Sequence, residues 1–130
     1  MSACSLSYVL VVGGPAYGNQ DASSAYRFAR ALVNSEHRLE KVFFYQAGVY
    51  NGNLLQSPAA DETQLYRLWC ELASQHQVRL ELCISAAQRR GLVDQLESDG
   101  NHFNVESPFE ITGLGQLAES LLTVDRVVQF

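Results

Sequence analysis

The sequence contains few of the residues that build a disulfide framework or a metal site. It has three cysteines and three histidines among 130 residues. Cys4, Cys70 and Cys83 form no C-x-x-C pair, and an odd number of unpaired thiols is typical of a reducing compartment. The histidines share no ligand-like spacing with one another or with the cysteines. The sequence therefore predicts a cytoplasmic protein with free thiols and no metal site.

Long apolar runs and an excess of positive charge are missing as well. No apolar run reaches the roughly 18–20 residues of a membrane span, and the amino-terminal stretch lacks the basic region of a secretory signal. Nine Lys and Arg against 14 Asp and Glu give a formal net charge of −5. Nucleic-acid affinity depends largely on neutralised phosphates, so we expect no direct nucleic-acid binding and no membrane contact. Any link to RNA would run through a partner protein.

Short apolar runs alternate with amphipathic segments along the whole chain. Tyr8–Val12 is a continuous apolar run closed by a Gly-Gly-Pro turn, which is typical of a buried parallel strand. The alternation predicts one domain over residues 1–130, an α/β fold with a parallel sheet and helices on both faces. The predicted strands are 8–12, 41–47, 78–83, 109–112 and 126–130, and the predicted helices are 22–35, 61–75, 86–96 and 114–122, the third capped by Ser85 or a neighbour.

Parallel sheets place reactive groups at the carboxyl ends of their strands, and three features of this sequence fall there. They are the loop GGPAYG, the loop GVYNGN and Cys83. The first loop matches neither a dinucleotide fingerprint nor a P-loop, so a tight turn is the simpler interpretation. Tyr17 and Tyr50, one in each loop, are candidates to flank a site or to serve an interface.

Cys83 ends an apolar run and precedes small residues and two arginines. A thiol becomes a nucleophile as its thiolate, which cations and a helix start favour. Arg89 and Arg90 would supply the cations if the chain folded back, and Ser85 with its neighbours would leave room for a reacting group. A small apolar residue in the core is the competing interpretation, and the spacing leaves both open. Cys70, beside a tryptophan in a predicted helix, is interpreted as packing.

Cys83 and Arg89 also have the C-x5-R spacing of cysteine phosphatases and arsenate reductases, whose loop amides and arginine hold an oxyanion. The five residues between them include no glycine that would let the backbone curl around an anion. Arg90 stands where such loops usually carry Ser or Thr, and no Asp-Pro dipeptide offers the usual general acid. This hypothesis remains a weaker alternative.

Several longer segments together resemble the DsrE-like sulfur-relay family, most closely its TusD-type sulfurtransferase subunits. They are GPAYGNQDASSAYRFARAL, VFFYQAGVYNGN, CISAAQRRG, ITGLGQLAES and the terminal DRVVQF. The resemblance implies a flavodoxin-like sheet and a single reactive cysteine, which maps onto Cys83. That cysteine would accept sulfane sulfur as a persulfide from a small upstream carrier and pass it to a downstream one, without a cofactor.

The resemblance also implies partners and a destination for the sulfur. The partners are two homologous subunits in a heterohexamer, a dimer of heterotrimers. For TusD-type members the sulfur goes to 2-thiouridine at tRNA wobble positions, and for DsrE-type members it belongs to sulfur oxidation. A non-catalytic assembly subunit is a further alternative.

Overall fold

The computed structural model describes residues 4–130 and is built on a parallel sheet of five strands in the order β4-β3-β2-β1-β5. Residues 1–3, the start of the stretch in which the sequence shows no secretory signal, lie outside the described residues. The strands are β1 (Ser7–Val12), β2 (Arg38–Phe44), β3 (Arg79–Cys83), β4 (Phe109–Thr112) and β5 (Arg126–Gln129). The helices are α1 (Asp21–Val33), α2 (Leu65–His76), α3 (Ile84–Arg89) and α4 (Leu114–Thr123), and a 3-10 helix, Gln46–Gly52, follows β2.

The strand order places helices on both faces of the sheet. The chain steps from β1 to β4 in one direction and then returns to place β5 beside β1. Right-handed crossovers put α1 and α2 on one face and α4 on the other. The predicted α/β fold with a parallel sheet is therefore confirmed. A flavodoxin-like sheet likewise has one strand on the far side of β1, and here that strand is the last in the chain.

The first face of the sheet, under α1 and α2, holds the apolar core. Phe44 packs edge to face against Trp69 of α2, and Phe109 of β4 stacks on Tyr66 of the same helix. α1 and α2 each bury four side chains against this face. They are Ala22, Ala25, Ala29 and Leu32 of α1 and Leu65, Trp69, Leu72 and Ala73 of α2.

The second face, under α4, is ionic rather than apolar in its middle. Lys41 of β2 and Glu81 of β3 are 4% and 0% exposed, and Lys41 Nζ donates to Glu81 Oε1 at 2.9 Å. Arg79 Nη2 lies 3.1 Å from the second Glu81 oxygen, in a geometry that falls short of a hydrogen bond. Helix α4 buries no side chain. The first face of the sheet therefore packs through apolar contacts, whereas the second face has a buried ion pair at its middle.

Helix α4 turns its polar flank towards this ionic face. Lys41 and Arg79 share a cleft of about 330 Å³ with polar α4 side chains at helical spacing, namely Gln116, Glu119, Ser120 and Thr123. The apolar flank points away: Leu114, Leu121 and Leu122 are 58%, 41% and 87% exposed. An amphipathic helix normally buries its apolar stripe, whereas α4 packs Leu117 against the core and leaves these three leucines at the surface.

The predicted loop GVYNGN is instead part of the buried 3-10 helix Gln46–Gly52. The Asn51 amide donates to the carbonyl oxygens of Gly14 and Gly48 and accepts from Trp69 Nε1. A side chain at Gly48 would collide with the Val12 carbonyl oxygen. Close approach of this segment to the end of β1 therefore explains both the glycine and the buried amide.

Several predicted boundaries of β2, α2 and α3 are wrong. Strand β2 begins at Arg38 and ends at Phe44, because Gln46 has a positive φ of 51° and starts the 3-10 helix. The third helix spans Ile84–Arg89 rather than 86–96, because Gly91 at φ 72° ends it. Ser85 lies inside α3 and does not cap it. The N-cap residue of α3 is Cys83, because the strand runs into the helix without a linker. The second helix begins at Leu65, four residues later than predicted.

No helix among residues 4–130 combines the length and the apolar character that crossing a membrane requires.

The junction between α4 and β5 should make stability depend on pH through Asp125. Its carboxylate accepts from the backbone N–H of Ser7 at 2.9 Å and from the Ser7 hydroxyl, and these hydrogen bonds lower the pKa of Asp125. A lowered native pKa stabilises the fold at higher pH, and that contribution is lost as pH falls through the native pKa. We expect Asp125→Asn to unfold more easily than wild type at pH 7, with the difference shrinking below about pH 4.

Urea unfolding from pH 7 to pH 3 measures this dependence. Asp61→Asn, at an exposed loop carboxylate, is the matched control and should follow the wild-type profile. An Asp125→Asn protein whose deficit stayed constant across this pH range would contradict the assignment.

Candidate active site

Cys83 lies at the carboxyl end of β3, an inner strand of the sheet, where the strand passes directly into α3. Its φ and ψ of −62° and 125° are extended, and it is the N-cap residue of the helix. Its thiol makes no capping hydrogen bond. Thr112 is its register partner across the β3–β4 pair. The thiol therefore stands at the sheet edge where parallel α/β folds place reactive groups.

The Cys83 side chain is 6% exposed. The next residue, Ile84, is 40% exposed, and Leu114 at the start of α4 is 58% exposed two residues after Thr112. Exposed apolar side chains therefore follow Cys83 by one residue and its register partner by two residues.

Alternation along β3 places Glu81 on the same face as Cys83, two residues away. The Thr112 hydroxyl donates to Glu81 Oε1 at 3.4 Å. The Lys41–Glu81 pair and Thr112 thus form a buried polar network on the face of the sheet that Cys83 shares. Sequence reasoning missed this network, although the charged residue in the middle of LELC is a visible signal of it.

Of the residues predicted to shape the site, Ser85 is the one adjacent to Cys83. It is half-buried in the first turn of α3. Arg89 is exposed at the last position of α3, and Arg90 Nη1 donates to the Ala86 carbonyl oxygen of the same helix. The segment between Cys83 and Arg89 is helical. Both arginines therefore belong to the carboxyl end of α3, whereas Cys83 stands at its start.

The two predicted tyrosines occupy other roles. The Tyr17 hydroxyl donates to the Thr63 carbonyl oxygen and accepts from the Leu65 N–H at 3.3 Å, which ties the first loop to the start of α2. Tyr50 is 40% exposed on the 3-10 helix, which packs against α3. Tyr50 therefore lies on an element next to α3, whereas Tyr17 fastens α2.

Cys70 and Cys4 differ from Cys83 in their surroundings. Cys70 is half-buried in α2, and burial raises the pKa of its thiol, with Glu106 and Glu71 acting in the same direction. Cys4 is exposed ahead of β1. Within residues 4–130 no group of three His, Cys, Asp or Glu side chains is placed to hold a metal ion.

The fold and the site define a class: a parallel α/β protein with a single thiol at the carboxyl end of an inner strand. The model of the DsrE/DsrF-like family matches residues 7–130. The protein belongs to the DsrE/DsrF-like family.

Curated relatives match nearly the whole chain. A Salmonella typhi protein named Sulfurtransferase TusD is 52% identical over 128 residues, covering 96% of this chain and all of that protein. Its namesake from Photorhabdus laumondii subsp. laumondii is 52% identical over 129 residues, covering 97% of this chain and 98% of that one. The crystal structure of the ychN protein from E. coli shares the fold, with a TM-score of 0.80, 24% identity, and coverage of 96% and 99% of the two chains.

The raised pKa of Cys70 should keep this thiol unreactive at neutral pH. In a Cys4→Ser/Cys83→Ser double variant, Cys70 is the one remaining thiol. We expect iodoacetamide to modify it at pH 7 much more slowly than free cysteine, because the thiolate is the reacting form, and faster as pH rises. Intact mass against time measures the rate. Modification as fast as that of free cysteine at pH 7 would show that burial does not suppress this thiol.

Proposed function

We propose that this protein is a sulfurtransferase that carries sulfane sulfur as a persulfide on Cys83. The observation that carries the proposal is its full-length likeness, at 52% identity, to proteins named Sulfurtransferase TusD. The position of Cys83 at the strand-to-helix junction supports the choice of residue, because reactive groups of parallel α/β folds lie at that edge. We take residues 1–130 as one domain with this activity and the cytoplasm as its compartment.

The transfer is an exchange of one sulfur atom between thiols. The Cys83 sulfur attacks the outer sulfur of a donor persulfide, a new S–S bond forms, and the donor S–S bond breaks. The donor leaves as a thiol and takes up the proton that Cys83 loses, so no oxidant or reductant is consumed. A second thiol then attacks the outer sulfur on Cys83 and removes it. The chemistry needs one cysteine and no cofactor.

The other two thiols are poorer candidates for this role. Burial raises the pKa of Cys70, which disfavours its thiolate, and Cys70 lies in the middle of α2 rather than at a strand end. Cys4 is exposed and precedes the sheet, where nothing would protect a persulfide from stray thiols. Cys83, at 6% exposure, offers that protection.

We further propose that the sulfur is destined for 2-thiouridine at tRNA wobble positions. It would reach Cys83 from a small upstream carrier protein and leave on a downstream one, so this acidic chain need not touch RNA. The support is the likeness to the TusD-named relatives. A role in sulfur oxidation, as for DsrE-type members, is the second candidate, since the family match covers both types.

A C-x5-R phosphatase or arsenate reductase is less well supported by the geometry. Such a site needs backbone amides and the arginine around one anion beside the thiolate. Here Ile84–Arg89 is helical, and Arg89 is exposed at the opposite end of that helix from Cys83.

We propose that the functional unit is a heterohexamer with two homologous subunits, arranged as a dimer of heterotrimers. The exposed leucines of α4 support association, because Leu114, Leu121 and Leu122 form an uncharged apolar flank. Val127 of the edge strand β5 is 46% exposed as well. Apolar surface that is exposed at all times suits a permanent partner, whereas carriers that must leave favour polar contacts.

Sulfur loading tests the role of Cys83. The wild-type protein is incubated with a persulfidated carrier protein or with cysteine persulfide, and intact mass is recorded with the modified residue mapped by peptide analysis. We expect one added sulfur on Cys83, none on Cys70, loss of the addition in Cys83→Ser, and normal loading in Cys70→Ser. Loading that survives in Cys83→Ser and disappears in Cys70→Ser would overturn the assignment.

The same variant separates catalysis from assembly in cells. If Cys83→Ser leaves tRNA 2-thiolation intact while deletion of the chain abolishes it, the protein is a non-catalytic assembly subunit. Thiolation that is unaffected by either change, together with a defect in sulfur oxidation, would favour the DsrE-type role.

The α4 flank should matter for assembly and not for folding of the subunit. Leu122 is 87% exposed, so Leu122→Ser should leave the isolated subunit stable but weaken its complex with the homologous subunits by about tenfold. Leu96→Ser is the matched control, since Leu96 is 88% exposed in the loop after α3. Size-exclusion chromatography with light scattering on co-expressed subunits measures the complex, and equal assembly of both variants would exclude this flank from the interface.

A further inference from the structure

The geometry points to Glu81 as the group that limits how tightly Cys83 holds sulfur. We propose that its buried carboxylate destabilises the persulfide anion on Cys83 and so favours release of the sulfur to the next thiol. The inference rests on the proposed function of Cys83. It adds a residue, and a direction of effect, to that function.

Glu81 is the nearest charged side chain to Cys83 along β3 on their common face. Two residues of an extended strand separate the two Cα atoms by roughly 6.6 Å. Glu81 is fully buried, and the Thr112 hydroxyl, from the register partner of Cys83, donates to its Oε1. Because the carboxylate is buried, solvent screens its field less than it screens that of a surface charge.

The backbone positions of the cations that pair with Glu81 lie on the side away from Cys83. Lys41 and Arg79 are register partners of each other, two residues before Glu81 in the direction of the strand. At the level of Glu81 itself, β2 contributes Phe43 and β4 contributes Glu110. Glu110 is exposed, so solvent screens its charge. Glu119 on α4 lines the cleft with the two cations, and Arg89 is at the far end of α3.

An apolar core does not account for this arrangement. Burying an ion pair in a sheet costs desolvation energy, and a pair of well-packed apolar side chains of similar volume is often as stable or more so. The first face of the same sheet follows that apolar solution with Phe44, Leu80 and Leu82, each fully buried. The buried charge on the second face therefore points to a role beyond packing. The reactive group closest to Glu81 along β3 is the Cys83 thiol, two residues away on the same face.

The carboxylate acts on the exchange through the charge of the product. A persulfide S–H is a stronger acid than a thiol, so the exchange near neutral pH is Cys83–SH + R–S–S⁻ ⇌ Cys83–S–S⁻ + R–SH. One S–S bond breaks and one forms, and the proton of Cys83 ends on the departing thiol. The negative charge moves from solution to a site beside Glu81. Repulsion between the two anions shifts this equilibrium to the left, which makes Cys83 a carrier that gives sulfur away.

The test is the position of this exchange equilibrium in variants that alter the charge. The parent is a Cys4→Ser/Cys70→Ser protein, mixed with equal concentrations of cysteine persulfide and cysteine, and the fraction of Cys83 that carries one extra sulfur is read by intact mass. We expect Glu81→Gln to raise the ratio of loaded to unloaded protein by about three- to tenfold. Glu81→Asp, which keeps the charge, should stay near the parent, and so should Glu110→Gln.

A merely structural role for Glu81 predicts a different pattern. It would make Glu81→Asp as abnormal as Glu81→Gln, since the shorter side chain disturbs the network as well. If Glu81→Gln alone does not fold, because Lys41 is left unpaired, Lys41→Met/Glu81→Gln removes both charges and should show a smaller rise in the same direction, because the cation that offsets part of the carboxylate's field is removed with it. A ratio in either variant equal to or below the parent value overturns the inference while leaving the proposed function intact. A parent that takes up no sulfur on Cys83 overturns both.

Discussion

The buried ion pair between Lys41 and Glu81 is the interaction on which the second face of the sheet depends. Neither charge is stable in the interior unless the other is present and the remaining polar atoms are satisfied. Lys41 Nζ and the Thr112 hydroxyl both donate to Glu81 Oε1, and Arg79 approaches the other oxygen. Any element that covers this face must offer polar groups. Helix α4 does so with the flank that carries Gln116 and Glu119.

The orientation of α4 then sets what the rest of the molecule presents to partners. Three leucines of α4, Leu114, Leu121 and Leu122, face outwards, while Leu117 is partly buried and packs against the core. Cys83 lies on the same face, and Leu114 follows its register partner Thr112 by two residues. A thiol, an ionic network and an apolar flank are thus collected on one side of the sheet, while α1 and α2 on the other side provide the apolar core.

Local sequence patterns predict most of the fold but little of the packing on the second face of the sheet. Short apolar runs between amphipathic segments predict the five strands and four helices over the described residues 4–130, and Cys83 at a strand end follows from the same reading. Periodicity within α4 does not tell which flank faces the sheet, and it does not show that Lys41 and Glu81, 40 residues apart, meet across two strands. Arg89 and Arg90 stand at the end of α3, which Gly91 terminates, and the Arg90 guanidinium donates to a carbonyl of the same helix. The 3-10 helix after β2 was hidden because GVYNGN has the composition of a loop, while its asparagine is buried by tertiary contacts.

The small exposed area of Cys83 would limit the rate of the proposed sulfur transfer. A thiol on a residue that is 6% exposed would react mainly when the structure around it opens locally, so its exchange rate would follow the population of the open form. The elements that border it, the first turn of α3 and the start of α4, have few buried side chains of their own. A subunit packed on α4 would change how often the first turn of α3 and the start of α4 separate. Assembly would then change the rate of sulfur transfer without any direct contact with the reacting atoms.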